Sequence, residues 1–384
     1  MKTIRITLLV LLIFTNAIFV TSCWNYREVD KLAIVAGVAV DKGTNGQYEV
    51  TTEIIQISGG KDTKTTSNTI TMEGRTMFDA VRNGISLSGK RLYWSHTKVI
   101  ILSKEIASEG VTKVIDWFSR DSETRPDIHV LISEGDSAKE IFSGQGTTEE
   151  IKSFVLDEIL KNQVSLSKAP IIDILRFDND LEAKGLCAIA PAVNLKQIDG
   201  KMLPYIMGTA IFKVGKLVSF LNGEETKDLI FIRNEVKGGV LIEGTQGNDV
   251  TIPVSLEIFK SETQVTPVVD GKDIKINLNI VTTVAIDEIE GTENFIDDEG
   301  RMKLEQNAEK TLKERIDSLI EKMQSEYAVD IFGFGAKLRE DKTEVWNRVS
   351  SNWEEIFKNL KVNVKTKVHI RNSAMLSKPL EEGE

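Results

Sequence analysis

LAIVAGVAV, residues Leu32 to Val40, is a nearly unbroken apolar run rich in β-branched side chains. A run of that composition has strand character. Asp41-Lys42-Gly43 and Asn45-Gly46 follow it, and Gln47 to Ser58 then has strand character, so the pair reads as a hairpin. The polar stretch Ser58 to Asn68 reads as a loop. Further along, Met77, Val81 and Ile85 share one helical face, as do Val111, Val114, Ile115 and Phe118. Leu92 to Leu102, Ile128 to Ile132 and Gly185 to Leu195 read as strands, with helices expected at Ser137 to Phe142 and Thr148 to Lys161. The order is mixed α and β, without a detectable repeat.

A second block opens near Met202. Tyr205 to Lys213 and Lys216 to Leu221 predict strands, and Asn222 to Ile232 a helix with Asn222 as N-cap and acids Glu224 and Glu225 in its first turn. A third block starts near Gly244. Strands are expected between Val250 and Ile289, divided at Asp270-Gly271. Leu304, Ala308, Leu312, Ile316, Leu319, Met323 and Tyr327 then step by three or four along one long helix. Trp346, Val349, Trp353 and Ile356 mark another helix. The last strand alternates cleanly: Val362, Val364, Thr366, Val368 and Ile370 face one way, and Lys361, Asn363, Lys365, Lys367, His369 and Arg371 the other. The fold class expected is mixed α/β (α+β) in three domains, at 23–198, 202–243 and 244–376. Each is a mainly antiparallel or mixed sheet flanked by helices, and a polar tail covers 377–384.

At 384 residues, with 41% hydrophobic and 28% charged side chains and only 7 prolines, the chain can build several cores and is not of disordered composition. It holds 58 acidic residues against 48 Lys and Arg; the first 22 residues contain two of the bases and no acid, so the remainder carries a net −12. That balance argues against nucleic acid as a partner, and against simple electrostatic adhesion to anionic lipid. Two cysteines (Cys23, Cys187) and three histidines (His96, His129, His369) lack the spacing of a zinc site, so no metal or cofactor is expected.

Lys2 and Arg5, the 15-residue run Ile6 to Val20, and small residues before Cys23 have the layout of a signal peptide, assigned to 1–22. A spanning helix needs about 20 apolar residues, and this run is shorter and interrupted by Asn16. Val20-Thr21-Ser22-Cys23 resembles a bacterial lipobox, which implies a diacylglyceryl lipid on Cys23. Two acyl chains give stable anchoring where one gives marginal binding. A plain secretory signal, with Cys23 incidental or paired with Cys187, is the other reading. Lipidation of Cys23 leaves Cys187 as a buried free thiol.

Few motifs point to chemistry. Gly84 to Arg91 has the spacing of a phosphate-binding loop, but Arg91 stands where Ser or Thr must hold magnesium, and a helix precedes the loop. Gly144-Gln-Gly146 and Gly333-Phe-Gly335 each supply two glycines of a dinucleotide fingerprint and lack the third. Ser95-His96, as strand neighbours, point to opposite faces. The pairs Glu224-Glu225 and Glu354-Glu355 read as solvated helix faces, and Trp346 with Trp353 as core. No catalytic set is expected. Lys361, Lys365, Lys367 and Arg371 gather on one strand face, which suits contact with an acidic partner or lipid headgroups, or else is the wet side of a sheet.

The ordered series Cys23-Trp24, Arg27-Glu28, Leu32 to Gly37, Gly89 to Ile100, Arg125-Pro126-Asp127, Gly208 to Lys213, Leu221 to Thr226 and Asp330 to Gly335, then Trp346, Trp353 and Val362 to Arg371, resembles the spore-germination lipoprotein family, the C subunits of nutrient germinant receptors. The resemblance spans nearly the whole mature chain. It implies a three-domain α/β lipoprotein on the outer face of the spore inner membrane, beside two integral membrane receptor subunits. It brings no catalytic residues, and it makes Gly333 and Gly335 residues of backbone geometry. The alternatives are a solute-binding lipoprotein delivering a nutrient to a transporter, and a secreted hydrolase.

Overall fold

The computed structural model describes residues 2–19, 28, 31–59, 64–145, 150–247, 250–271, 273–289 and 297–373. It is a mixed α/β fold with two sheets. The first lobe contains strands β1 (Leu32–Lys42), β2 (Tyr48–Ser58), β3 (Lys64–Gly74), β4 (Arg91–Tyr93), β5 (Val99–Leu102), β6 (His129–Ser133), β7 (Ile189–Ile198), β8 (Lys201–Lys213) and β9 (Lys216–Leu221). They lie in the order β3-β2-β1-β5-β6-β7-β8-β9, with the short β4 beside the start of β1. The helices are α1 (Lys2–Phe19), α2 (Met77–Ser88), α3 (Lys104–Glu109), α4 (Thr112–Arg120), α5 (Lys152–Lys161), α6 (Ile174–Glu182) and α7 (Gly223–Ile232). Among the described residues no helix is long and apolar enough to cross a membrane.

The opening run sits at the centre of this sheet for the reason its composition suggests. Val38 and Val40 face one core, and Ala39 joins a second, with Val99, Ile101, Leu131, Leu156 and Leu160, on the opposite face. The turn after it has Asn45 and Gly46 both at positive φ, 55° and 74°, the backbone that the Asn-Gly pair accommodates.

The second lobe is a four-stranded sheet, β10 (Val240–Gly247), β11 (Val250–Asp270), β12 (Asp273–Ile289) and β13 (Lys361–Ser373), in that order. One face carries α8 (Asp298–Lys322), whose Leu304, Ala308, Leu312 and Ile316 are buried in the expected steps. α9 (Phe334–Asp341), α10 (Thr343–Val349) and α11 (Trp353–Lys358) lie between α8 and β13 in sequence. β13 runs parallel to β12. Its free edge is blunted by α8: Glu309 accepts from the Val368 N–H at 3.2 Å and Glu305 from the Ile370 N–H at 2.8 Å.

Several elements differ from expectation. The stretch expected as a loop through Asn68 is strand from Lys64 onward, fully paired with β2. Its Thr and Ser side chains hid it, because one edge and face of this strand remain wet, and Thr51 and Thr71 pair through their hydroxyls at 2.9 Å. The strand expected over Leu92 to Leu102 is broken between Tyr93 and Val99, where the chain shifts along β1 from one parallel pairing to the next. The strand expected from Gly185 begins at Ile189, and β10 begins at Val240, ahead of Gly244. The boundary expected between 198 and 202 falls on the tight turn Asp199-Gly200 inside the first sheet, which continues through β8 and β9.

Candidate functional site

The two lobes meet where residues 183–188 of the first lie against residues 330–335 of the second. Asp330 organises this junction. Its Oδ1 accepts the backbone N–H groups of Gly333 at 2.9 Å and Phe334 at 3.1 Å. Oδ2 accepts the N–H of Gly335 at 2.8 Å and the indole N–H of Trp353 at 3.1 Å. The side chain is buried, and burial pushes its pKa above the ordinary carboxylate range while the four donors pull against that push. All four contacts are donors, so the geometry is that of a carboxylate clamped around a tight turn. α9 starts from that turn.

Gly185 and Gly335 make the lobes touch backbone to backbone. A Cβ on Gly185 would lie 2.6 Å from the Gly335 carbonyl carbon and 2.6 Å from the Trp346 ring. Ala336 donates its N–H to the Gly185 carbonyl at 2.8 Å, and Cys187 donates to the Asp330 carbonyl at 2.8 Å. Arg233, at the end of α7, spans the seam: Nε donates to the Ile331 carbonyl at 2.7 Å and Nη2 to the Cys187 carbonyl at 3.4 Å. Its nearest carboxylate is Asp180, 3.7 Å from Nη1.

A cavity of about 410 Å³ opens beside this seam, lined by Leu186, Cys187, Phe212, Asp330, Trp353 and Phe357 among others, with Lys213 and Glu354 paired at its rim at 2.7 Å. Its size lies within the range of small-molecule sites. Of its charged groups, Lys213 and Glu354 pair with each other, and Asp330 is held by backbone and indole N–H groups. Cys187 is half-buried and unpaired, and burial together with the Asp330 charge pushes its thiol up to about 12, so it carries no thiolate at neutral pH. Among the described residues no group of three His, Cys, Asp or Glu side chains is placed to hold a metal ion. The arrangement is a joint between the two lobes.

A second set of contacts ties α7 to α8. Asn222 caps α7 reciprocally with Glu225. Glu224 meets Lys168 at 2.9 Å, Lys227 at 3.1 Å and Arg315 at 3.3 Å, while Arg315 reaches Asp228 at 2.7 Å and Lys322 reaches Glu225 at 2.6 Å. The acids expected as solvated faces are thus the connectors between lobes. Partial burial of Glu224 raises its pKa, but hydrogen bonds from Lys168 and Lys227 outweigh this and hold it at about 2, against 4.5 ordinarily. A depressed carboxyl contributes stability that is present above 4.5 and lost as pH falls through 2. Asp228 has the opposite sign: burial pushes it up to about 6, so its part is present below 3.8 and lost as pH rises through 6. We expect Glu224→Gln to flatten the loss of stability between pH 4.5 and pH 2 in urea unfolding at a series of pH values. An unchanged slope would contradict that assignment.

The expected site residues fall as follows. Cys23, the Val20 to Ser22 residues before it, and the tail 377–384 lie outside the described residues. Lys361, Lys365, Lys367 and Arg371 all lie on the exposed side of β13, opposite buried Val364, Val368 and Ile370. Lys367 pairs with Glu309 at 2.7 Å, and the register sets Lys275 beside Lys361 and Asn279 beside Lys365. Gly84 to Ser88 close α2, Gly89 caps it at φ 66°, and β4 follows, which is the reverse of a phosphate-binding loop. Ser95 and His96 lie in the break between β4 and β5 rather than on a strand; Ser95 Oγ donates to the Glu123 carbonyl at 2.9 Å, and His96 is exposed. Trp346 and Trp353 are core, 5.5 Å apart and edge to face. Asp330, Arg233 and Gly185 carried no spacing signal that marked them as a junction.

Comparisons with known proteins agree across both lobes. Residues 25–195 match the family described as spore germination protein N-terminal domain, and residues 207–374 the one described as spore germination B3/GerAC like, C-terminal. Spore germination protein B3 of Bacillus subtilis is 25% identical, over 87% of this chain and 89% of that one. Spore germination protein A3 of the same organism is 25% identical, over 94% and 97%, and protein KC is 22% identical over 98% of each. The crystal structure of the GerBC protein superimposes with a TM-score of 0.58 at 22% identity, covering 88% of this chain and 97% of that one, which places the fold.

Proposed function

This chain belongs to the family of spore germination proteins of the B3/GerAC type, and we propose that it is the lipid-anchored, non-catalytic subunit of a nutrient germinant receptor, working beside two integral membrane subunits at the outer face of the spore inner membrane. What supports the reading is that the two domains of that family match in order along the chain, at residues 25–195 and 207–374. The run Val20-Thr21-Ser22-Cys23 behind a short apolar segment supports the anchor. Two acyl chains hold a protein on one membrane surface and raise its effective concentration toward partners there. The exposed cations Lys361, Lys365 and Arg371, which make no ion pair among the described residues, support a contact with an acidic face of a partner subunit. Reversing all three to Glu then lowers recovery of the partners without unfolding the chain; unchanged recovery would remove that contact.

The anchor has a direct test. Cys23→Ala shifts the protein out of the spore membrane fraction and weakens nutrient-triggered germination. Normal germination by a variant shown to be absent from the membrane would contradict the proposal. The cavity beside Trp353 is the observation that favours a solute-binding protein instead. Saturable binding of an amino acid or sugar to the purified chain, measured by calorimetry, would bring that reading forward.

A further inference from the structure

α2 buries Met77, Ala80, Val81 and Gly84 and leaves a second apolar stripe uncovered. Phe78 is 52% exposed and Ile85 is 37% exposed, at i and i+7 of one helical face, and Arg82 at i+4 lies over the Phe78 ring, 4.8 Å from its centre. Arg82 and Lys90 meet no acid among the described residues. The nearby acids are engaged: Asp79 accepts the Arg75 N–H, Asp121 the Glu123 N–H, and Glu123 pairs with Arg91 at 2.7 Å. An exposed aromatic and aliphatic stripe bordered by free cations is the composition of a helix that lies in a membrane interface.

The path of the chain says which surface it would meet. The first described strand residues pair directly with the segment that follows α2: Leu32 with Arg91 and Ala33 with Leu92, about 4.8 Å apart as adjacent strands. Cys23 and Lys31 are separated by eight Cα–Cα steps, which reach at most about 28 Å when extended. A bilayer holding a lipidated Cys23 therefore lies within about 28 Å of Lys31, whose neighbour Leu32 pairs with Arg91, three residues beyond the end of α2.

We propose that the Phe78–Arg82–Ile85 face of α2 docks on the phospholipid surface that carries the anchor, its apolar side chains entering the headgroup layer and Arg82 and Lys90 meeting lipid phosphates. The inference rests on the anchored reading of Cys23. It gives the net acidic body one local surface that an anionic membrane does not repel, and it sets the orientation of the first lobe above the bilayer.

The test uses the full lipidated chain carrying Ile85→Cys, labelled there with an environment-sensitive dye; Cys187 is left unlabelled because burial holds its thiol protonated at neutral pH. The chain is mixed with vesicles of phosphatidylcholine and phosphatidylglycerol, with or without brominated acyl chains. A second chain carries the dye through Val214→Cys, at a hairpin tip 94% exposed. Bromolipid quenching several-fold stronger at position 85 than at 214 is the expected result. Equal or absent quenching at 85, on a chain that floats with the vesicles, overturns the docking and leaves the anchor intact. A chain that does not float overturns both. Quenching at 85 that disappears when the integral subunits are co-reconstituted assigns the face to protein contact and also overturns the proposal.

Discussion

Replacing Asp330 by Asn lowers the unfolding free energy by about 3–5 kcal/mol, the magnitude expected when a buried, fully hydrogen-bonded charge loses its role. Asparagine keeps the shape but puts an NH2 where one oxygen stood. That NH2 faces either the Gly335 N–H and the Trp353 indole N–H or the Gly333 and Phe334 N–H groups. Two donors then lose their acceptor inside the protein, and the turn that starts α9 loosens. The melting temperature falls by about 4–7 °C. Asp330→Glu does not restore it, because the longer arm cannot sit inside a turn closed by three consecutive backbone N–H groups. Tryptophan fluorescence during urea unfolding reads the change through Trp353 itself. A loss below about 1 kcal/mol would mean that the four hydrogen bonds are far weaker than their geometry indicates.

Gly185→Ala is the second large effect, and it comes from sterics rather than charge. Gly185 has φ 81°, where a side chain costs roughly 1 kcal/mol. The added Cβ would also meet the Gly335 carbonyl carbon at 2.6 Å, and a backbone neighbour cannot turn aside as a flexible side chain does. Overpacking of this kind costs about 1–3 kcal/mol more. Gly200 supplies the control: its φ is 76°, and a Cβ there meets nothing within 4 Å. Thermal melts of the two alanine variants therefore separate the conformational cost from the contact. Gly185→Ala is the more destabilised by about 1–3 kcal/mol. Equal losses would contradict a close approach of the lobes at this point.

The sequence disclosed those elements whose physics is local and periodic. The apolar run Leu32 to Val40 with Asn45-Gly46 after it read as a strand leading into a turn, and the alternation from Lys361 to Arg371 placed those side chains on their observed faces. The heptad-like steps of α8 were equally plain. β3 stayed hidden because a wet edge strand of Thr, Ser and Asn has the composition of a loop. The junction stayed hidden for a different reason. Asp180, Gly185, Arg233, Asp330 and Trp353 come from four separate stretches, and a lone acid or glycine carries no period to reveal what it will meet. Glu224 and Glu225 announced a helix N-terminus, which was correct, but their cation partners lie up to 97 residues away in sequence. The apolar stripe on α2 had the same limit: Ile85 shares a helical face with Met77 and Val81, and only the packed helix shows it left exposed beside Phe78.

Asp330 and Arg233 join the first sheet to α9 and α11, and the α7–α8 ion pairs join it to the long helix.

The measurement that bears most directly on the receptor-subunit reading is purification of the epitope-tagged protein from spore membranes in mild detergent, with mass spectrometry of its N-terminal peptide and of everything recovered with it. The account predicts a mature chain that begins at a diacylated Cys23 and two polytopic membrane proteins recovered alongside it. An unmodified Cys23, or a lipidated chain recovered alone, would contradict it.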